Sequence, residues 1–402
     1  MSNALDERRA APRTLAGATI LQIVPALREE PNARTAVNVA YALLQAGARA
    51  LVAADDGPLV GELKAFGAEW ISLPNDTTNP LTLRRNARII ENIIAAERVD
   101  IVHAQSAGGA WSARRAASEI AVWLVTTLPD VPTPPRLFGP PVDALARGDR
   151  IIAPSVYAAT PVMQRHGIAR EHITIIPRGI DTAVFDPVAI HPGRVAALRN
   201  AWRVDPGERI VLTPGRVAPW NGQSILPAVA RILVDEGHRG AVFIIVGENR
   251  SHQRYTRSLL KHAQAEGVGA LFRVTGHCLD LPAAFAAADI VAVPAIEPPI
   301  LGRVAVQAQA MAKPVVTTNV GILPENVVVP PQMPEDVRTG WVTAAGDPAD
   351  FARGLGAALS LDDTAYQVMS ARARQFAEYM FSPESVAVAM RAVYTSLLAR
   401  DP

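Results

Sequence analysis

The stretch EPPILGRVAVQAQAMAKPVV, residues 297–316, begins after one short apolar segment and runs into the next. IVAVPA at 290–295 and PVVTT at 314–318 have the apolar, β-branched composition of buried strands, and the pattern at 303–311 predicts a helix between them. The segment is therefore one βαβ unit. Open α/β sheets bind nucleotides and other anions where a strand-end loop meets a helix N-terminus, so this loop is also a candidate site.

Length and composition indicate a two-domain cytoplasmic protein. The chain has 402 residues, of which 49% are hydrophobic, enough for two cores of ordinary size. Its single cysteine, Cys278, excludes an intrachain disulfide and fits a reducing compartment. The formal net charge of +1 gives no electrostatic footprint for nucleic acid, so we expect no nucleic-acid partner.

The apolar run at residues 16–27 follows several arginines, as the hydrophobic part of a signal peptide does. It is too short to span a bilayer, and it lacks a convincing small-residue cleavage site. We therefore interpret it as the first strand of a sheet. No other segment of the sequence predicts a transmembrane helix.

Strand-like and helical segments alternate through both halves of the chain. The strands predicted in the first half are ATILQIVP, RALVAAD, WISLP, IVHAQS, VWLVTT and IIAPS, and those in the second are RIVLTPGR, VFIIVGE, LFRVTG, IVAVP and PVVTT. Helical patterns between consecutive strands predict parallel, doubly wound sheets. The predicted fold class is α/β with two Rossmann-like domains, residues 1–185 and 186–380. The proline-rich segment 129–141 is predicted to be a long loop.

The stretch at 297–316 resembles the donor-sugar loop of the family 4 glycosyltransferases of GT-B fold. That loop usually has E, any residue, F, G, an apolar run and then E, A, x, A, x, G, x, P, V. The residues that fit are Gly302, Arg303, Val304, Ala308, Met311, Pro314, Val315 and Val316. TPGRVAPWNGQ at 213–223 is similar to the family's phosphate-binding segment, and the resemblance extends over nearly the whole chain.

The resemblance implies an architecture and a reaction. The two domains would face each other across a cleft, with a final helix at 385–400 that returns to the first domain, so that 381–402 join it. The reaction would move a sugar from a nucleotide-sugar co-substrate to a glycan or lipid-linked acceptor, with retention and without a metal or other cofactor. A lipid-linked acceptor leaves open peripheral contact with the inner face of the membrane, through a face that includes Arg84, Arg85 and Arg88.

The resemblance assigns the donor site to loops of the second domain. Arg216 would stabilise the leaving diphosphate, Gln307 would hydrogen-bond the ribose, and Glu297 would replace a missing sugar-contacting glutamate. The other donor-binding candidates are Gly215, Asn221, Gly247, Gly276, His277, Asp280, Gly302, Arg303 and Val304. A surface ion pair for Arg216 and an ordinary loop position for His277 are the alternatives. No zinc site is predicted, because His277 and Cys278 are adjacent and no CxxC or HxxxH spacing accompanies them.

Candidates for the acceptor side follow strands of the first domain. They are His103, Gln105 and Ser106, together with Arg34. A packing role for His103 is the alternative. Relatives usually carry a glycine pair after strand one, whereas this chain has Glu29 and Glu30, whose carboxylates would oppose a bound diphosphate. Arg34 would partly offset that charge.

The sequence departs from the family pattern at the donor site. Asn221 occupies the position of a lysine, and Pro299 and Gln307 occupy those of two glutamates. An active transferase is favoured, and the alternative is a catalytically inactive GT-B pseudoenzyme that acts as a binding or partner subunit. Another GT-B reaction, such as epimerisation of a nucleotide sugar, is a third reading. A nicotinamide oxidoreductase is disfavoured, because neither domain's first strand leads into GxGxxG.

Overall fold

The computed structural model describes residues 14–118, 120–131, 142–248, 250–298 and 302–399. The chain divides into two compact units, Met1–Gly179 with Pro383–Pro402 and Ile180–Ser382. Each unit contains one parallel sheet, of seven strands in the first and six in the second. The predicted pair of Rossmann-like α/β domains is therefore confirmed.

The sheet of the first unit has the strand order β3-β2-β1-β4-β5-β6-β7. Its strands are β1 (Thr19–Ala26), β2 (Arg49–Asp55), β3 (Glu69–Ser72), β4 (Ile101–Ala104), β5 (Trp123–Thr127), β6 (Arg150–Ala153) and β7 (Ile173–Ile175). Its helices are α1 (Pro31–Gln45), α2 (Leu59–Ala65), α3 (Pro80–Glu97), α4 (Ala107–Ala117) and α5 (Val156–His166). The order reverses between β1 and β4, which makes their carboxyl ends a topological switch point.

Both faces of this sheet are covered, which explains why its strands are apolar runs rather than alternating patterns. In β1, Ile20 and Val24 face one hydrophobic cluster, and Leu21 and Ile23 face the other. Successive side chains of a strand point to opposite faces, so an unbroken apolar run supplies both cores at once.

The sheet of the second unit has the strand order β10-β9-β8-β11-β12-β13, and its switch point lies between β8 and β11. Its strands are β8 (Arg209–Pro214), β9 (Ala241–Val246), β10 (Phe272–Gly276), β11 (Ile290–Val293), β12 (Val315–Thr318) and β13 (Gly340–Thr343). Its helices are α6 (Pro192–Ala201), α7 (Leu226–Asp235), α8 (Gln253–Ala265), α9 (Leu281–Ala287), α10 (Arg303–Ala310), α11 (Pro348–Leu359) and α12 (Asp363–Phe381).

The last helix of the described chain, α13 (Pro383–Leu398), belongs to the first unit. Its buried residues Met390, Val393 and Leu397 join the same cluster as Ile20 of β1. The helix therefore returns to the first domain, as the family resemblance implied. It begins two residues earlier than predicted, at a proline whose fixed φ suits the first helical turn.

The boundary between the units lies nearer to residue 180 than to the predicted 185. Ile180 and Phe185 are buried in the core of the second unit. The Ile180 amide donates to the Phe381 carbonyl over 2.8 Å, which ties the start of this unit to the end of α12. The second boundary follows Ser382 rather than residue 380 for the same reason, since Phe381 belongs to that core.

Two further sequence predictions concern loops and membrane spans. Most of the proline-rich segment 129–141, which is predicted to be a long loop, lies outside the described residues. Within the described ranges, no helix combines the length and the apolar content that a bilayer crossing requires.

Candidate functional site

A cavity of about 380 Å³ opens at the switch point of the second sheet. Pro214 ends β8 there, and Pro294 and Ala295 follow β11. Seven of the donor-site candidates line this one cavity: Gly215, Arg216, Asn221, Gly302, Arg303, Val304 and Gln307. These residues are up to 92 positions apart in sequence (215 to 307), and the parallel sheet brings them together because the loops after β8 and β11 leave the same edge.

Arg216 lies in the loop that follows β8. Its backbone carbonyl accepts hydrogen bonds from the side-chain amides of Asn221, over 2.7 Å, and Gln223, over 3.0 Å. Its side chain is 59% exposed, and its Nε lies 3.9 Å from the Glu248 carboxylate, beyond hydrogen-bond range. The loop backbone is thus held in place while the charged group remains accessible to a ligand.

The opposite wall of the cavity is the first turn of α10. Gly302 precedes this helix with φ 56°, and an added Cβ would lie 2.5 Å from Ile322 Cγ2. The Asn326 side chain donates to the Gly302 carbonyl over 3.0 Å, and Gln309 Nε2 donates to the Asn326 carbonyl over 2.6 Å. This buried network fixes the helix N-terminus against the cavity, where its free amides and positive dipole end favour an anion.

Arg303 and Gln307 are four residues apart on α10 and line the same cavity. Side chains at this spacing lie on one helix face, one turn apart. A cation and a neutral amide therefore occupy adjacent positions, which suits a phosphate followed by a ribose hydroxyl.

Gly247 and Gly276 support the loops and do not line the cavity. A Cβ on Gly247 would lie 1.8 Å from the Gly215 carbonyl oxygen, so only glycine permits the two loops to approach. The Gly247 amide donates to the Gly276 carbonyl over 2.8 Å. These contacts hold the loops after β8 and β9 against each other and connect the loop after β9 to the end of β10.

His277 and Asp280, the candidates for a base pocket, lie outside the lining of this cavity. His277 is exposed. Asp280 accepts from the Ala283 amide as the N-cap of α9 and pairs with Arg194 over 2.6 Å. The Arg194 guanidinium lowers the pKa of Asp280, so this carboxylate is committed to a helix end and an ion pair.

The structure describes only part of the loop in which the family pattern has its first glutamate. Pro299 lies outside the described residues. Glu297 is exposed, its backbone amide donates to the Trp220 carbonyl over 3.2 Å, and its side chain does not line the cavity.

The first unit has its own cavity, of about 460 Å³, at the switch point between β1 and β4. Gln105 and Ser106 line it, as the sequence predicted for the acceptor side, together with Asn32 and Thr127. Ser106 also caps α4, because its hydroxyl accepts from the Gly109 amide over 3.1 Å. Amide and hydroxyl groups thus make up much of this lining.

An ion pair at this cavity was missed by the sequence analysis. Arg178 and Asp130 both line it and are joined over 3.0 Å, with side chains only 9% and 11% exposed. Asp130 follows β5 and Arg178 follows β7 by three residues each, so the strand-end rule that identified Gln105 applies to both.

His103 has the packing role rather than a ligand role. The side chain is fully buried, with Nδ1 2.8 Å from the Tyr394 hydroxyl and Nε2 2.7 Å from Thr127 Oγ1. Burial, reinforced by the Arg178 charge, lowers the pKa of His103 to about 3, so the ring stays neutral. From β4 the His103 side chain packs against Tyr394 of α13, a contact that the local sequence of the strand does not reveal.

Arg34 does not line the first cavity either. Its guanidinium pairs with Glu29 over 2.9 Å and with Glu62 over 2.6 Å. The sequence-based expectation that Arg34 offsets the charge of the glutamate-rich turn agrees with the pair to Glu29. Glu30 precedes α1 as its N-cap residue and makes no side-chain capping bond.

The described residues contain no group of three or more His, Cys, Asp or Glu side chains arranged to hold a metal ion. Cys278 is partly buried, and burial raises the pKa of its thiol. It packs against the hydrophobic cluster of the second unit.

Two family models match the chain. The model described as Glycosyltransferase Family 4 matches residues 33–184, and the one described as Glycosyl transferases group 1 matches residues 208–360. The first covers the first unit from residue 33 and extends five residues past its boundary at Gly179, and the second spans the sheet of the second unit. Together they cover about three quarters of the chain.

Curated relatives include D-inositol 3-phosphate glycosyltransferases. The protein of Segniliparus rotundus is 33% identical over 199 residues, which are 48% of this chain and 42% of that protein. The protein of Saccharomonospora viridis is 30% identical over 280 residues, which are 67% of this chain and 61% of that protein. The chain spans about half the length of the curated relatives it matches.

Solved structures show the same fold over almost the whole chain. A glycosyltransferase of Rickettsia africae is similar with a TM-score of 0.76 and 24% identity, covering 95% of this chain and 99% of that one. HepE of Anabaena, in complex with UDP and glucose, has a TM-score of 0.66 and 21% identity, covering 94% and 100%. The chain therefore carries a Glycosyltransferase Family 4 domain followed by a Glycosyl transferases group 1 domain, and it has the two-domain GT-B fold of these glycosyltransferase structures.

Proposed function

We propose that the protein transfers a sugar from a nucleotide diphosphate to a hydroxyl group of a glycan or lipid-linked acceptor, with retention of anomeric configuration. The observation that carries this proposal is the convergence of Arg216, Arg303 and Gln307 on one cavity at the switch point of the second sheet. Two cations, a helix N-terminus and a neutral amide form the set of groups that a diphosphate linked to a ribose requires.

Arg216 and the first turn of α10 would stabilise the negative charge that develops on the leaving diphosphate. A guanidinium offers two parallel donors to phosphate oxygens, and a preorganised donor of this kind is worth about 3 kcal/mol in a transition state. Arg303 adds a second positive charge to a cavity in which Asn221 supplies none. We infer that Arg303 compensates for the lysine that relatives carry at position 221.

The cavity of the first unit would hold the acceptor. Gln105, Ser106 and Thr127 offer both donors and acceptors of hydrogen bonds, which suits a molecule with several hydroxyl groups. Among the described lining residues the only cation is Arg178, which is already paired with Asp130. A neutral saccharide or polyol is therefore favoured in this cavity over a group that carries its own phosphate.

Thermal-shift measurements with UDP-, GDP- and ADP-sugars test the donor half of the proposal. A donor that binds only the folded protein raises the melting temperature by mass action. One nucleotide class should stabilise the wild type, and Arg216→Ala should abolish that shift. A wild type that no nucleotide sugar stabilises at saturating concentration would contradict the donor-site assignment.

One observation favours a second function, that of a non-catalytic binding subunit. The side-chain amide of Asn221 donates to the Arg216 carbonyl, and this neutral residue brings no charge to the cavity. A donor that stabilises the protein but is neither hydrolysed nor transferred in the presence of candidate acceptors would establish this alternative. Turnover at about 1 per second or faster, an ordinary enzymatic rate, would reject it.

A further inference from the structure

A second cavity of the first unit, also of about 460 Å³, is lined by three arginines. Arg114 and Arg115 lie in the last turn of α4, and Arg147 ends the 3-10 helix Val142–Arg147. Trp111 and Ser118 extend the same wall of α4. Residues three, four and seven positions apart lie on one face of a helix, so the wall presents these polar groups together.

The three guanidinium groups carry uncompensated charge. All three residues are exposed, and within the described ranges none of their side chains forms an ion pair or hydrogen bond. By contrast, Arg28 and Arg49 of the same unit are paired: Arg28 lies 2.8 Å from Asp76, and Arg49 lies 2.8 Å from Glu69.

The cavity has one carboxylate, Asp143, among its lining residues, and this carboxylate also contacts side chains outside the lining. Asp143 lies 3.6 Å from Arg165 and 3.3 Å from His166. Even when Asp143 is counted in full, three arginines against one aspartate leave an excess of positive charge on the lining. A concave surface lined by one sign of charge concentrates counter-ions of the opposite sign.

We propose that this cavity, which we call the arginine pocket, binds a phosphate group. Three planar guanidinium forks supply more donors than a carboxylate can accept, whereas a phosphate offers three oxygens and up to two negative charges. Trp111 provides an apolar surface for whatever the phosphate is attached to. The phosphate could belong to an anionic lipid headgroup or to a soluble phosphorylated compound, and the chemistry of recognition is the same.

Isothermal titration with inorganic phosphate tests the pocket. Every protein in the series carries Arg216→Ala, so that phosphate binding in the donor cavity contributes little to the measured heat. The test variant is Arg114→Gln, Arg115→Gln and Arg147→Gln together. The matched control is Arg239→Gln, Arg254→Gln and Arg257→Gln together, three exposed arginines of the second unit outside the donor cavity, which removes equal charge. Substitution at exposed arginines leaves the core intact, and circular dichroism verifies this.

We expect the pocket variant to bind phosphate at least ~10-fold more weakly than its parent, and the control variant to bind within about twofold of that parent. The reason is that directed hydrogen bonds from guanidinium groups contribute more to binding than distant surface charge, which salt screens. An equal loss in both variants would show that only overall surface charge acts and would overturn the proposal. Absence of phosphate binding in the parent, together with absence of vesicle binding, would overturn it as well.

Co-sedimentation with vesicles separates the two sources of phosphate. The vesicles contain phosphatidylglycerol in phosphatidylcholine, with pure phosphatidylcholine as the neutral comparison. Binding to the anionic vesicles that is lost in the pocket variant but kept in the control supports the pocket and identifies a lipid headgroup. Phosphate binding with the same dependence on the variants, but no vesicle binding, supports the pocket and identifies a soluble ligand.

Discussion

The side-chain amide of Asn221 donates to the backbone carbonyl of Arg216 over 2.7 Å. The residue that occupies the family's lysine position therefore holds the loop that carries Arg216, instead of adding charge to the cavity. Gln223 donates to the same carbonyl over 3.0 Å. The loop consequently keeps one of its two side-chain hydrogen bonds when Asn221 is replaced.

Asn221→Lys should increase donor hydrolysis or sugar transfer. A restored cation would stabilise the leaving diphosphate, and ~2 to 3 kcal/mol of transition-state stabilisation corresponds to tens to hundreds-fold in rate. The loss of one hydrogen bond should cost only about 1 kcal/mol of unfolding free energy, because Gln223 remains. The steady-state rate of nucleoside diphosphate release measures the change in turnover.

Asn221→Ala is the control for that experiment, since it removes the same hydrogen bond without adding charge. A lysine variant no faster than the alanine variant would mean that charge at position 221 does not reach the leaving group. In that case Arg303→Gln is the informative variant, because it removes the second cation on the cavity wall.

Gly302→Ala should destabilise the second unit and weaken donor binding. The new Cβ would lie 2.5 Å from Ile322 Cγ2 and 2.7 Å from Asn326 Nδ2, in a backbone with φ 56°. Overpacking of this kind costs about 1 to 3 kcal/mol, and it displaces the helix N-terminus that faces the cavity. Urea unfolding and titration with the stabilising nucleotide sugar measure the two effects.

Gly207→Ala provides a matched comparison, because Gly207 also has a positive φ, of 91°, but an added Cβ would meet nothing within 4 Å. It should cost only the strain of the backbone, about 1 kcal/mol, and leave donor affinity unchanged. Equal effects of the two substitutions on donor affinity would contradict a specific role of the Gly302 turn.

The contribution of His103 to stability should fall as the pH falls from about 6.5 towards about 3. The folded protein keeps this ring neutral, with a pKa of about 3, whereas the unfolded chain binds a proton near the ordinary value of 6.5. The unfolded state therefore binds more protons in this window, and unfolding free energy decreases as the pH falls. The slope from one such group approaches about 1.4 kcal/mol per pH unit.

His103→Gln removes the titrating ring and keeps an amide that can hydrogen-bond to the Tyr394 or Thr127 hydroxyl. Its unfolding free energy should depend less on pH than that of the wild type over the same window, although the variant is less stable throughout. Identical slopes for both proteins in urea unfolding would show that His103 is not the group responsible.

Asp130→Ala should destabilise the first unit by about 3 to 5 kcal/mol, because it leaves the Arg178 charge buried without its partner. Arg178→Leu combined with Asp130→Ala should cost clearly less than the sum of the single changes. Urea unfolding of all four proteins gives the coupling free energy, expected between about 0.5 and 3 kcal/mol. Strict additivity would mean that the two side chains do not interact in solution.

Much of the cavity at the second switch point could be predicted from the sequence, through the family resemblance and one rule of parallel sheets. Arg216 follows β8, and Gly302 and Gln307 belong to the helix after β11, so strand order alone brings them to one edge. Asp280 and His103 carry equally suggestive polar groups near strand ends. The structure assigns them instead to a helix cap and a buried hydrogen-bond pair.

The sequence by itself determined the two Rossmann-like domains and the loops that bear the site, because apolar runs, helical periodicity and strand-end polar residues are local signals. Tertiary structure decided which of those polar residues face a cavity. His103 and Tyr394 are 291 positions apart, and their 2.8 Å contact exists only because α13 returns to the first unit. Contacts of this kind depend on how distant segments pack, and packing determines both the burial of a side chain and the direction in which its polar atoms point.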